Sequence, residues 1–305
     1  MQMLRRTKVF VILFFLISVG VWKGYDIYAG LQTDNSQPVI TLASESVTVS
    51  VKDGDSAILE GVTAEDAGDG DLTDKIFIEN RRNFIEKGKF SVTYAVADSD
   101  NHVARATREV IYSDYVSPQF ELTEPLEFAA TRSAQEDVDI AANLSARDVI
   151  DGDISNKIRI SGDYTMSSHT VGDYPMEFIV MNSLGDTVSL PVTIKIYDAS
   201  ASGQLPKIHL KKCLLNVPVG TEVDLDSMVE SIEYRGVIYE RAEDGAFYSG
   251  EYDRNGEPMT IPAARISYSG EVDLRDPGVY EITYTYTDSE ADVTNDTRLY
   301  LVVYD

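Results

Sequence analysis

Cysteine is almost absent from this chain. Cys213 is the single one in 305 residues, so no intrachain disulfide can form and the fold must hold by packing alone. Basic charge is scarce as well: 26 Lys and Arg stand against 51 Asp and Glu, a net of −25. A surface of that sign repels nucleic acid and anionic lipid, which both need a basic footprint. Histidine is limited to His102, His169 and His209, with no second ligand beside any of them at metal spacing. No glycine-bracketed serine nucleophile or phosphate-binding glycine loop occurs. Cys213 follows Lys211 and Lys212, which favour a thiolate, but a lone cysteine on a strand is expected to be inert. Long helical patterns are missing after the first thirty residues; Ser145 to Arg147 and Leu225 to Glu230 are expected to hold a helical turn at most. These absences argue against an enzyme. Paired carboxylates can be found anywhere in so acidic a chain and decide nothing.

What the chain does contain is one cassette written three times. It reads Gly88, Phe90, Val92, Tyr94, Val96, Asp98; then Gly172, Tyr174, Met176, Phe178, Val180, Asn182; then Gly278, Tyr280, Ile282, Tyr284, Tyr286, Asp288. The period of two predicts a half-buried strand, with Ser91, Thr93, Glu177, Glu281, Thr283 and Thr285 facing outward. Each copy opens on a proline with apolar residues two and four on: Pro38, Ile40, Leu42; Pro118, Phe120, Leu122; Pro206, Ile208, Leu210. Proline as the first residue of a strand gives up no needed ladder bond. Each copy closes on a β-rich run at Val110 to Tyr112, Val192 to Tyr197 and Leu299 to Tyr304. Repetition at domain size predicts tandem modules, all-β, at 38–115, 118–198 and 206–305. Segments 31–37 and 199–205 are then linkers, the second rich in Ala, Ser and Gly and expected to be flexible.

The N-terminus carries Arg5, Arg6 and Lys8 ahead of an apolar run from Val9 to Trp22, closed by Lys23. The positive flank predicts a cytoplasmic Met1 and translocation of everything after residue 23. Fourteen helical residues rise only about 21 Å against a core of about 30 Å, a length that also suits a cleavable signal peptide. Small-residue cleavage sites are poor, and Trp22, Tyr25 and Tyr28 read as interfacial aromatics. The expectation is a single-pass anchor within residues 1–30, with secretion after cleavage as the alternative.

Two acidic turns match each other. Asp66, Asp69, Gly70 and Asp71 align with Asp148, Asp151, Gly152 and Asp153, and the third copy lacks the turn. Three carboxylates within six residues are candidate calcium ligands, since hard oxygens and a sharp glycine turn suit that ion. The spacing fits no EF-hand. The competing reading is turn chemistry, with Asp side chains bonding nearby amides. No other cofactor is expected.

The acidic turns, the glycine–aromatic strand and the proline-led first strand resemble the bacterial Ig-like repeat first described in a pesticidal crystal protein. That resemblance covers the first two copies almost wholly and the third in its first and last strands. It implies a β-sandwich at a bacterial, commonly Gram-positive, cell surface and no catalytic residues. The cassette also looks like strand F of immunoglobulin domains, with Val92, Met176 and Ile282 where a cysteine would stand. Tyr174 and Tyr280 then fit a tyrosine corner, whereas Phe90 has no hydroxyl to make one.

The third copy departs most. Asp244-Gly245 and Asn255-Gly256 are hairpin signals, and a hairpin is expected within about 233–262, Val237 to Arg241 pairing with Ala246 to Glu251. Tyr239, Phe247, Tyr248 and Tyr252 are candidates for a partner-contacting face, or else cover for an open sheet edge. The functional expectation is a non-catalytic structural or adhesive surface protein meeting an envelope protein or glycan. The alternative is a calcium-dependent carbohydrate-binding module.

Overall fold

The computed structural model describes residues 2–32, 36–131, 138–162, 166–198, 200 and 205–305. The architecture is all-β and Ig-like, with one long helix at the N-terminus. The chain divides into two compact units, Met1–Tyr115 and Val116–Asp305. Linker residues 33–35, 199 and 201–204 lie outside the described residues.

In the first unit the helix Gln2–Gln32 runs past the apolar run. Its stretch Lys8–Tyr28, 21 residues with mean hydropathy 1.7, is long and apolar enough to cross a membrane. At 1.5 Å per residue it rises about 31 Å, the thickness of a hydrocarbon core, because Tyr25, Ile27 and Tyr28 extend the span beyond Trp22. Two sheets follow. Strands Val39–Leu42, Val62–Asp66 and Gly70–Asp71 form one. The other holds Ser46–Val49, Val103–Tyr112, Lys89–Ala97 and Phe77–Arg81 in that order. The first cassette is the strand Lys89–Ala97, and its alternation is the core: Phe90, Val92, Tyr94 and Val96 are fully buried. Val62 and Ala64 face them from the first sheet, and Ile58 from the short helix Gly54–Leu59.

The second unit contains two further sheet pairs. Gln119–Leu122, Leu144–Asp148 and Gly152–Asp153 make a sheet, and Arg159–Ile160, Gly172–Met181, Thr187–Tyr197 and Glu127–Ala129 make its companion. Ser145 to Arg147 is therefore strand and not a helical turn. Leu144 and Ala146 alternate inward, and pairing with Gln119–Leu122 supplies the backbone bonds that a lone turn would lack. Beyond residue 205, one sheet has five strands, Lys207–Leu210, Val229–Tyr234, Val237–Arg241, Phe247–Tyr252 and Pro258–Ile261. The other holds Leu214–Pro218, Val293–Tyr304, Gly278–Asp288 and Ile266–Ser269. The turn expected at Leu225 to Glu230 is a 3-10 turn over Asp226–Met228, after which Val229 begins a strand.

Each sheet that carries a cassette ends on a parallel pair. Ser46–Val49 runs parallel to the end of Val103–Tyr112, Glu127–Ala129 to the end of Thr187–Tyr197, and Leu214–Pro218 to the end of Val293–Tyr304. In the second unit the cores merge at one point. Cys213, Leu214 and Tyr300 are buried in the same cluster as Phe120, Phe178, Leu190 and Ile194.

Candidate functional site

Each acidic turn is closed by its own hydrogen bonds. Asp66 Oδ1 accepts the amides of Gly68 at 2.9 Å and Asp69 at 3.1 Å, and Ser36 Oγ donates to Asp66 Oδ2 at 2.9 Å. Asp148 Oδ1 accepts from Ile150 N at 2.8 Å and Asp151 N at 2.9 Å, and its Oδ2 accepts from Asn182 Nδ2 at 3.1 Å. Both carboxylates are buried, which is tolerable because their lone pairs are filled. The Asp69 amide, with further donors around it, outweighs partial burial and holds the Asp66 carboxyl below its usual range.

The middle carboxylates reach across to the hairpin that follows the cassette. Asp69 accepts from Ser99 Oγ at 2.8 Å, and Asp151 accepts from Ser183 N at 2.7 Å and Ser183 Oγ at 2.6 Å. The turn belongs to one sheet and the hairpin to the other, so the bond staples the two sheets together at one pole. Lys157 Nζ adds a third donor to Asp151 at 2.8 Å. The last carboxylates, Asp71 and Asp153, accept the amides of Thr73 and Ser155 at 2.9 and 3.0 Å and start the next 3-10 turn. Asp66, Asp69, Asp71, Asp148, Asp151 and Asp153 thus each accept hydrogen bonds from amides or hydroxyls of the chain. Among the described residues no three His, Cys, Asp or Glu side chains gather where a metal ion could sit. The last sheet pair, which has no acidic turn, closes the same pole with an ion pair from Arg265 to Asp288, while Asp288 Oδ1 accepts from Glu290 N and Ala291 N.

The tyrosine corners form at both expected positions. Tyr174 donates to Thr170 O and Tyr280 to Asp276 O, each at 2.9 Å. Phe90 is held instead by aromatic packing, 5.0 Å from the Tyr112 ring and 5.9 Å from Phe84, which meets Tyr115 edge-on at 4.7 Å.

The expected hairpin is present, with Glu240 opposite Tyr248 and Arg241 opposite Phe247. Gly245 and Gly256 turn the chain at φ 82° in both of its loops, a conformation that glycine adopts without strain. It is not an appendage: Val229–Tyr234 and Pro258–Ile261 flank it, so it widens a core-facing sheet. That placement corrects half of the candidate contact face. Tyr239 is 8% exposed and Phe247 0%, both packed with Ile232, Ile261 and Tyr286. Adjacent strand residues point to opposite faces, so Phe247 and Tyr248 cannot share a surface. Tyr248 and Tyr252 are exposed, at 39% and 69%, as is Ile238. Tyr248 donates to Asp244 Oδ2 at 2.7 Å, which fixes its ring over the turn and pushes its hydroxyl pKa up.

Groups able to do chemistry are dispersed. His102 bonds Asp98 Oδ2 at 2.7 Å, His169 bonds Ser167 at 3.1 Å and His209 lies 3.7 Å from Glu233. Burial pushes the Cys213 thiol up to about 11, aided by Glu127 and Glu124, despite Lys211 and Lys212.

A joint that the sequence did not advertise lies within the second unit. The Tyr300 hydroxyl accepts from Thr193 N at 2.9 Å and donates to Thr193 O at 3.1 Å. Lys195 Nζ reaches Asn295 Oδ1 at 3.1 Å, Asp296 O at 2.7 Å and Asp296 Oδ1 at 2.9 Å. Arg298 bonds Asp173 at 2.6 Å and Glu281 at 3.1 Å, and Asn216 donates to Phe120 O at 2.8 Å. Beside this joint is a cleft of about 410 Å³, lined by Glu127, Lys195, Tyr197, Ile208, Asn295 and Thr297 among others. In the sequence, its one signal was a polar run, Asn295 to Arg298, inside an otherwise apolar final strand.

Residues 40–111 and 245–300 match the family model of the bacterial surface protein Ig-like domain. One matched stretch lies in the first compact unit and the other in the second. An uncharacterized 81.3 kDa protein of Acholeplasma phage L2 is 38% identical over 87 residues, 28% of this chain and 10% of that protein. The match therefore spans only about a tenth of that relative's length. Among solved structures, the M60 catalytic domain with CBM51-1 and CBM51-2 from Clostridium perfringens ZmpB is 13% identical. It covers 90% of this chain and 31% of that one, at a TM-score of 0.20. The lipoprotein BT2262 from Bacteroides thetaiotaomicron is 13% identical, with 59% and 98% covered, at 0.23. Drosophila N-cadherin EC1-4 is 12% identical, with 90% and 76% covered, at 0.21. Likeness at this level carries no functional argument.

Proposed function

We propose that this is a non-catalytic surface protein that presents tandem Ig-like modules outside a bacterial membrane for structural or adhesive contact. The helix Lys8–Tyr28 is the tether, its basic flank inside and the modules exported. Residues 118–198 are a further copy of the same module, supported by the shared bonding pattern of Asp66 and Asp148.

The observation that carries the adhesive reading is the widened sheet at 237–261. Its outer side sets Ile238, Tyr248 and Tyr252 in solvent, with Ser231, Glu240, Tyr248 and Thr260 aligned across four strands. Large, rigid amphipathic side chains of this kind bury contact area at low entropic cost. The partner is an envelope protein or a glycan. The test is capture of envelope material by the chain in nanodiscs. Tyr248→Ser with Tyr252→Ser should reduce capture while stability changes by under about 0.5 kcal/mol. Phe247→Ala should instead destabilise by about 3–5 kcal/mol. Unchanged capture by the folded double variant refutes this assignment.

A further inference from the structure

The outer face of the widened sheet has a charge as well as a shape. His209, Ser231, Glu240, Tyr248 and Thr260 stand in register across all five strands and form one outward row. On the side of the first strand its charge is compensated, since Glu233 lies 3.7 Å from Lys207 and from His209. Around Tyr248 it is not. Glu240 stands between Ser231 and Tyr248, neither of which carries a counter-charge. The Tyr248 hydroxyl donates to Asp244 at 2.7 Å, and that bond, with one from the Ala246 amide, holds the Asp244 carboxyl below its usual range. One carboxylate thus opposes the ring across the strand pair and another holds its hydroxyl.

The arginines of this region are placed elsewhere. Arg235 lies over the Tyr234 ring at 4.9 Å and Arg241 over the Phe247 ring at 5.7 Å. Both rings pack with the core on the inner side. Arg241 also alternates with Glu240 along its strand, so it points away from the outer row. Arg254 belongs to the turn after Tyr252, beside Asp253. What remains is an exposed ring flanked by anions, with Ile238 and Tyr252 exposed on the same sheet. The matching group is planar and cationic: a guanidinium stacks on a tyrosine face and forms charge-assisted bonds with carboxylates. A neutral glycan would bury Glu240 and Asp244 without compensating their charge. Longer-range attraction has the same sign, because the whole chain carries a net −25.

We propose that the outer face around Tyr248 docks an arginine-rich segment of a protein partner, with a guanidinium stacked on Tyr248 and bonded to Glu240. This rests on the contact-face reading above and narrows its partner to a basic polypeptide.

The test is fluorescence anisotropy with the full chain in nanodiscs of zwitterionic lipid, with empty discs as the blank. The probe is a labelled peptide of alternating arginine and serine. Its control replaces each arginine by citrulline, which keeps the shape and removes the charge. The arginine peptide should bind at least about fivefold tighter than the citrulline peptide and weaken as salt is raised. Glu240→Gln and, separately, Tyr248→Ser with Tyr252→Ser should each weaken it at least about threefold. Glu65→Gln removes the same charge from an exposed strand position in the first unit and should leave affinity unchanged. Absence of binding, equal affinity for the two peptides, or equal losses from Glu65→Gln and Glu240→Gln overturns the proposal. With envelope material, protease digestion of that material should abolish capture. Capture that needs the tyrosines yet survives digestion makes the occupant a glycan, which overturns the basic partner and leaves the contact face standing. Capture that ignores the tyrosines removes the face itself, and the proposal with it.

Discussion

Replacing Tyr300 by phenylalanine removes one oxygen atom and tests whether the second unit is a single cooperative body. Tyr300 is 1% exposed, so the retained ring keeps its apolar burial. The lost hydroxyl is the partner of both Thr193 N and Thr193 O. Thr193 sits just before the parallel pairing of Lys195–Tyr197 with Glu127–Ala129, so no strand offers it substitutes on that side. Leaving such groups unpaired costs about 1–3 kcal/mol net of the water that enters. For a body of this size, each kcal/mol moves Tm by about 2–4 °C, so a fall of about 2–12 °C is expected by calorimetry. Tyr280→Phe is the control: its hydroxyl makes one exposed bond, to Asp276 O, and its loss should cost about 1 kcal/mol or less. A Tyr300→Phe shift no larger than that of the control refutes the coupling.

Two further outcomes follow from charge. Burial alone would raise the Asp151 carboxyl, but Lys157 and the Ser183 donors outweigh it and hold it low. Its contribution is therefore present above the ordinary carboxyl pKa of about 4 and lost as pH falls through the lowered value. Asp151→Ala should destabilise by about 1–2 kcal/mol at pH 7 and much less at pH 3, while melts in millimolar calcium and in chelator coincide. A calcium-dependent rise confined to the modules with acidic turns would overturn the turn assignment. Glu127 has the opposite sign: burial raises its pKa, so the folded state holds the proton more tightly and stability falls as pH rises above about 4.5. Glu127→Gln should melt higher than the parent at pH 7 and alike at pH 4; a lower melt at pH 7 refutes the buried-acid picture.

The cassettes were legible because a period of two survives any change of residue type. Val92, Met176 and Ile282 differ in side-chain shape yet occupy the same inward position of the cassette. The acidic turns were legible as turns, since Asp-Gly spacing carries its own local bonds. What they reach was not, because Ser99 and Ser183 are thirty or more residues away and look like any loop serine. Tyr239 and Phe247 were misplaced for a definite reason: grouping by aromatic type overrode strand phase, which sets Phe247 against Tyr248. Tyr300 was invisible as a joint because alternation tells that a side chain points inward, but not into which of two adjoining cores.

The parallel pairs that close each cassette-bearing sheet decide how these modules respond to tension. In each case the second strand after the opening proline runs parallel to the last, so the chain enters and leaves that patch at opposite ends. Pulling on the ends then shears all the interstrand bonds of that patch together instead of unzipping them one by one. The patch spans four residue pairs at Ser46–Val49, three at Glu127–Ala129 and five at Leu214–Pro218. A chain stretched between a membrane and a bound surface would therefore yield first at 118–198, with the Tyr300 and Lys195 ties acting as a brake beside its weakest clamp. The final module, which carries the tyrosine face, would be the last to open.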